Sequence, residues 1–344
     1  MIGIEGAPEL GGIFRRSAEG LGHNVSFVDE SLAYCWLDAQ PARTLLWRLR
    51  RNLPARVDFF RRAVLQRARE YSPDIVFALK GAYLDPETLL ELKRTTSALL
   101  INFSTDDPFN DAPSTPCIRP SLPLWDVYAT PRAHTIPELE LHCKGQVVYL
   151  PFAYDPELHF PEESITAEDE KRFSSDVSFI GVCDADRAGT LRLLANQSGM
   201  VVGLYGGGRR YQFIRDLRRC YRGFAVGRDY RLALGCSKIA LSLNRKANRD
   251  THVMRTFEIP ACGAFLLAER TDEQCGMFAE DREAAFFSGP EELTEKTAFY
   301  LGHPNARRAV AQAGFRRVTS GRNTYRDRLF DLLKQVGVKS PRAA

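Results

Sequence analysis

Short apolar runs alternate with longer stretches of helical periodicity from one end of this chain to the other. In the first half, the runs at 24–28, 74–79, 98–103, 126–129 and 146–150 read as strands, with 1–4 as a brief first strand. Between them, 13–21, 57–71 and 86–94 carry apolar residues at helix spacing. The second half repeats the pattern, with strands at 176–180, 201–205, 238–243, 264–267 and 284–287. Its helices fall at 188–197, 211–221, 230–234, 291–301 and 306–319, and a last one at 325–336. Strands buried on both faces, each followed by a helix, predict an α/β architecture of parallel sheets with right-handed crossovers.

The two halves meet at a segment rich in proline and aromatics, LPFAYDPELHFP, ending at Pro161. Such composition makes a semi-rigid connector. The chain therefore divides into a domain over 1–150, a linker over 151–161, a second domain over 162–322 and a terminal helical segment over 323–344. Two doubly wound Rossmann-like domains facing an interdomain cleft offer a standard place for a ligand.

The length of 344 residues agrees with two domains of ordinary size. With 44% hydrophobic and 26% charged residues, the composition is that of a soluble globular protein. The formal charge of +4 suits anionic small ligands and gives no reason to expect nucleic acid. Eight scattered cysteines form no metal-type cluster, so buried free thiols in a reducing cytoplasm are expected. The N-terminus lacks the pattern of a signal peptide, and no apolar run is long enough to cross a bilayer. The basic stretch 43–69 interleaves arginines with Trp47, Phe59, Phe60 and Val64. It fits a solvated helix with one apolar face, or peripheral contact with anionic lipid.

The densest chemistry lies in 250–270, DTHVMRTFEIPACGAFLLAER. Asp250 and Glu258 are eight residues apart, a little over two turns if one helix runs from Asp250 or Thr251 to Cys262. Gly263 then takes the left-handed position that ends the helix, and 264–268 forms a buried strand. Carboxylates accept from ribose hydroxyls, and a helix N-terminus offers N–H groups to a diphosphate, so this unit suits a nucleotide sugar. Glu258 is equally placed to pair with Arg255 along the helix. Pro260 removes a backbone donor and frees the Thr256 carbonyl, a cost that packing alone does not explain.

This segment resembles the donor-binding signature of GT-B glycosyltransferases: an acid, seven residues, a Glu, then small residues ending in Cys-Gly. It is similar above all to the CgeB-type, spore-maturation-like branch, through Arg255-Thr256-Phe257-Glu258 and Ala261-Cys262-Gly263. Asp250 stands where the broader family has Glu. The linker resembles the interdomain segment of the same group. The resemblance implies an acceptor-side first domain, a second domain that binds the nucleotide sugar, and a last helix that crosses back to the first.

Further candidates follow from position. The segment Phe179 to Arg187 leaves a strand and opens a helix, and Gly181 and Arg187 match the glycine and basic residue that the family places there, with Arg187 as phosphate clamp. Gly206 and Gly207, in a run with Gly208, permit close backbone approach to a ligand. Asn244, Arg245 and Lys246 leave the strand before Asp250 and are candidate phosphate or sugar contacts. In the first domain, Asp106 and Asp107 follow a strand and precede Pro108. Either is a candidate base for an acceptor hydroxyl, and Asp107 is also suited to cap a helix beginning at Pro108. The loop 9–12 is a candidate backbone contact for the acceptor or a simple tight turn. Asp184-Ala185-Asp186 has the spacing of a metal-binding pair but precedes a helix that it can cap, so no metal is expected. His252, the one histidine of the signature, suits packing or capping.

The expected activity is transfer of a sugar from a nucleotide-diphosphate sugar to a glycan, lipid or protein acceptor, with the donor as co-substrate and no cofactor. Two alternatives remain open from the sequence: a sugar-nucleotide epimerase on the same scaffold, and a non-catalytic surface or coat-assembly protein.

Overall fold

The computed structural model describes residues 1–6, 8–35, 38, 51–110, 114–207, 211 and 214–338. Two compact units emerge, one formed by Met1–Pro151 together with the chain from Tyr325 onward, the other by Phe152–Thr324.

In the first unit, β1 (Ile2–Gly3), β2 (Val28–Asp29), β3 (Ile75–Leu79), β4 (Leu99–Phe103), β5 (Val127–Thr130) and β6 (Gln146–Tyr149) form one sheet in the order β2-β1-β3-β4-β5-β6. Every pairing is parallel. Helices α1 (Leu10–Gly20), α2 (Val57–Tyr71) and α3 (Pro86–Thr95) follow strands. The side chain of Asp85 accepts from Thr88 N and Pro86 opens the helix, which explains why α3 begins there. Helix α2 buries Val57, Phe60, Val64 and Ala68 and leaves Phe59 exposed, so one face packs and the arginine-bearing face is solvated. Residues 43–50 of the basic stretch lie outside the described residues.

In the second unit, β7 (Ser175–Ile180), β8 (Val202–Tyr205), β9 (Ser237–Ser242), β10 (Leu266–Glu269) and β11 (Ala285–Phe287) are again all parallel, in the order β11-β10-β9-β7-β8. The helices used below are α4 (Ala167–Phe173), α5 (Ala185–Ala195), α6 (Arg228–Gly235), α7 (Arg255–Ala261), α8 (Asp272–Met277), α9 (Pro290–Gly302) and α10 (Pro304–Thr319). Val177, Phe179, Leu204, Ile239, Leu241 and Leu267 fill its core with residues from the helices. Both sheets are doubly wound, and the winding reverses between β1 and β3 in one and between β7 and β9 in the other. Ligands of such sheets bind beyond the carboxyl ends of the strands at that reversal.

The last helix, α11 (Tyr325–Gln335), belongs to the first unit, where the Tyr325 and Phe14 rings lie 5.3 Å apart and Arg326 donates to the Gly20 carbonyl at 2.6 Å.

Some expectations shift. The strand expected at 24–28 is the two-residue β2, because β1 offers only two residues to pair with it. The helix expected from Ile13 starts at Leu10, so 9–12 is not a loop: Gly11 and Gly12 are buried in α1 against the carbonyls of Ile4 and Gly6. Of the helix expected at 211–221, a turn survives at Arg215–Arg218, and 212–213 lie outside the described residues.

Candidate functional site

The reversal point of the second sheet is built by the loops after β7 and β9. After β7, Asp184 caps α5 by accepting from Arg187 N at 3.0 Å. That use of its carboxylate accounts for the Asp-x-Asp spacing. Among the described residues, no group of three or more His, Cys, Asp or Glu is arranged to hold a metal.

Arg187 ties the two loops together. Its Nη1 donates to the Val182 carbonyl at 3.1 Å and its Nη2 to the Leu243 carbonyl at 2.8 Å, while its buried Nε has no hydrogen-bond partner among the described residues. Burial lowers the Arg187 pKa from its ordinary value; Arg255 and Arg245 add to that effect, and Asp184 and Asp250 oppose it. Three guanidinium groups from one helix start, one loop and a second helix start are thus electrostatically coupled. A site that holds cations together against their mutual repulsion is suited to an anion.

Beyond β9, Asn244 N donates to Glu269 Oε2 at 2.6 Å, and Arg245 Nε lies 3.9 Å from Asp184 Oδ2. Lys246 is exposed at the start of a short 3-10 turn, Lys246–Asn248. Arg249 then takes a left-handed backbone, φ 50°, which turns the chain so that Asp250 Oδ2 accepts from Arg245 N at 3.3 Å. This corrects the expectation of one helix carrying both acids. Helix α7 starts at Arg255, and Asp250 lies in the preceding turn because its side chain closes that turn.

Glu258 does lie on α7. It is 7% exposed; its Oε2 accepts from the Tyr230 hydroxyl at 2.7 Å, and its Oε1 is 3.7 Å from His159 Nε2. His159 Nδ1 accepts from Asp155 N at 3.1 Å, which places the ring proton on Nε2, toward the carboxylate. Burial and then the charge of Glu258 raise the Tyr230 pKa well above its ordinary value, so the phenol stays a donor. Arg255 acts on both Tyr230 and Arg187, linking this carboxylate region to the cationic loops.

Thr256, a candidate of the signature, is engaged within the protein. It is 0% exposed, and its hydroxyl bonds Val253 N at 3.2 Å and Gln274 Oε1 at 3.0 Å, locking the start of α7. The end of α7 follows expectation: Gly263 has φ 73°, and its N–H bonds the Pro260 carbonyl at 2.8 Å. Gly206, at φ 115°, sits where an added Cβ would lie 2.5 Å from the Gly181 carbonyl. Gly181 N donates to Tyr205 O at 2.9 Å and Cys183 N to Gly207 O at 3.3 Å, so these glycines hold the β7 and β8 loops against each other. Gly208 lies outside the described residues. His252 is buried; its Nε2 accepts from Phe152 N at 3.1 Å.

In the first unit, Asp106 pairs with Lys80 at 2.9 Å. Asp107 is 3% exposed, and its carboxylate accepts from Phe109 N at 3.0 Å. No helix begins at Pro108; the segment is a turn closed by this carboxylate. Arg132 braces the same loop by donating to Thr105 O at 2.9 Å.

Sequence reasoning did not single out Tyr230, His159 or Glu269 as site residues. Glu269 had a signal, an acid at the carboxyl end of a buried strand. Tyr230 and His159 had none, since only the fold brings them to Glu258.

Comparison with known proteins bears on the fold and on the second unit. Residues 187–334 match the family model described as glycosyl transferase-like. Sucrose-phosphate synthase from Thermosynechococcus elongatus superposes with a TM-score of 0.64 at 13% identity, over 83% of this chain and 80% of that one. HepE from Anabaena, solved in complex with UDP-glucose, gives 0.64 at 10% identity, over 97% and 98%. A glycosyltransferase from Rickettsia africae gives 0.59 at 11% identity, over 97% and 96%. No curated protein matches the sequence. The fold is that of the GT-B glycosyltransferases, two Rossmann-like parallel α/β domains. The family match lies in the second unit, which is therefore glycosyl transferase-like.

Proposed function

We propose that the chain transfers a sugar from a uridine-diphosphate sugar to a hydroxyl of a glycan, lipid or protein, and that it stands in the CgeB-type branch. The observation that carries this reading is the meeting of Arg187 and Arg245 at the reversal of the second sheet, where Arg187 donates to the Leu243 carbonyl at 2.8 Å and Arg245 lies 3.9 Å from the Asp184 carboxylate that caps the helix bearing Arg187. In this reading, Arg187, Arg245, Lys246 and the first turn of α5 take the diphosphate, and Gly181, Gly206 and Gly207 shape the floor. Glu258, oriented by Tyr230, accepts from the ribose hydroxyls, and Asn244 and Asp250 flank the sugar.

Catalysis then consists of stabilising the negative charge that gathers on the departing diphosphate, which fixed guanidinium groups do without reorganising. No cofactor or metal takes part. The acceptor belongs to the first unit, and the arginine-bearing face of α2 supplies any peripheral contact with anionic lipid. Support for the uridine nucleotide comes from HepE, whose structures hold UDP, UDP with glucose, and UDP-glucose. Support for the branch comes from Arg255 to Glu258 and Ala261 to Gly263.

The test is thermal stability in the presence of UDP- and GDP-sugars. A donor at a hundred times its dissociation constant stabilises by roughly 2.7 kcal/mol. Absence of a shift with every nucleotide sugar would remove the reading.

A further inference from the structure

The amino-terminal edge of the first sheet holds a gap one strand wide. Strand β3 pairs with β4 along all five of its residues, but with β1 only through Ala78 and Ile2. On its other side, β1 pairs with β2 through Ile2 with Val28 and Gly3 with Asp29. Met1 continues this ladder, its nitrogen donating to the Ser26 carbonyl at 2.6 Å. Past Met1, among the described residues, no strand stands between Ile75 and Val76 on one flank and Asn24 and Val25 on the other. Strands two places apart in a sheet are separated by about 9.5 Å, which is room for one extended chain.

A cavity of about 600 Å³ lies in this gap. Val64 and Ala68 of α2 line it on one face of the sheet, in the same apolar cluster as Ile2 and Val76. On the other face, where the Phe77 ring lies 5.1 Å from that of Phe14, the cavity is lined by Ala18 of α1 and by Leu329 and Leu333 of α11. The backbone of β3 is turned to suit. Leu99 N donates to the Asp74 carbonyl at 2.9 Å and Lys80 N to the Phe103 carbonyl at 2.8 Å, so the even-numbered residues direct their polar groups to β4, and Ile75 and Phe77 direct theirs to the gap. Two strand flanks select an extended backbone, and two apolar faces select apolar side chains at successive positions.

We propose that this gap is a peptide-binding site, taken by an extended segment of a separate polypeptide with about three to four apolar residues, roughly 10 to 13 Å long, that adds parallel to β3 with its carboxyl end toward Met1. Main-chain bonds to Ile75 and Phe77 fix its register. Its alternate side chains fill the α2 face and the α1 and α11 face. The site stands at the amino ends of the strands, opposite the edge where doubly wound sheets bind their ligands, and it does not depend on the reading of the second unit.

The test is amide hydrogen exchange on the whole chain, read at Ile75 and Phe77, with two probes: the peptide acetyl-Lys-Val-Ile-Val-amide at millimolar concentration, and the same residues joined ahead of Met1, where their effective concentration is high. Acetyl-Lys-Ser-Asp-Ser-amide is the control. The inference expects the apolar peptide to slow exchange at Ile75 and Phe77 by about fivefold or more, and to leave Val76 and Ala78, already held by β4, unchanged. The control slows neither. Ala68→Leu, whose larger side chain takes up part of the α2 face, weakens the effect of the apolar peptide. No slowing with either probe, an equal effect of the control, or an undiminished effect in Ala68→Leu overturns the site. Slowing by the joined residues alone overturns the separate partner and assigns the gap to a segment of the same chain.

Discussion

The Tyr230 hydroxyl donates to Glu258 Oε2 across 2.7 Å in a region where both residues are buried. One oxygen of the carboxylate is thereby fixed, while the other faces His159 from beyond hydrogen-bond distance. A carboxylate held in one orientation, with acceptor capacity left over, is what recognition of a diol requires.

Replacing Glu258 by Ala is expected to weaken nucleotide-sugar binding by roughly 1.5 to 3 kcal/mol, the cost of losing charged hydrogen bonds in a shielded site. Tyr230→Phe leaves the carboxylate in place but unheld, and costs about 1 kcal/mol of folding stability with a smaller loss of affinity. Calorimetry with the donor and a urea titration separate the two effects. Undiminished affinity in Glu258→Ala removes its role.

Arg187 makes two backbone hydrogen bonds and still has its Nε unused. Arg187→Ala is expected to reduce donor affinity more than tenfold, about 1.4 kcal/mol or more, and Arg187→Lys not to restore it, because an ammonium cannot serve two carbonyls and a phosphate in one plane. Equal losses of affinity and stability would mark the arginine as purely structural.

Glu30 gives stability a pH dependence of predictable sign. Its folded pKa is raised to about 7, so above the ordinary glutamate range the folded protein keeps a proton that the unfolded chain has released. Stability therefore falls as pH rises toward about 7 and this contribution is constant above it. Glu30→Gln is expected to melt higher than the wild type at pH 8, by up to about 3 kcal/mol, and to show little difference at pH 4. Matching melting curves at pH 8 would contradict the burial cost.

Gly206 combines φ 115° with a backbone carbonyl 2.5 Å from where a Cβ would sit. Gly206→Ala is expected to destabilise the second unit by about 2 kcal/mol or more, and to impair donor binding through displacement of the β7 loop. A circular dichroism melt and the donor shift measured on the same sample check both parts.

Most of the strands could be read from sequence because strands buried on both faces leave contiguous apolar runs. Helix α2 falls on 57–71 as the periodicity predicts. Local competition was harder to see. Nothing in the residue pattern announces that Arg249 turns left-handed and that Asp250 bonds back to Arg245, which delays α7 until Arg255. Helix α8 went unnoticed although its start is marked: the Thr271 hydroxyl accepts from Gln274 N at 3.1 Å, as a Thr followed three residues later by Gln predicts. In the second unit, the residues on signature motifs could be named in advance, whereas Tyr230 and His159 have no local signature and meet Glu258 only through the fold.

Because α11 packs against α1 while the whole of Phe152–Thr324 intervenes in the chain, synthesis delivers the two units out of step. The later unit has all of its strands once Thr324 has been made, whereas the earlier one waits for Tyr325–Gln335 to cover Phe14. On the ribosome, the half that starts first is the half that finishes last.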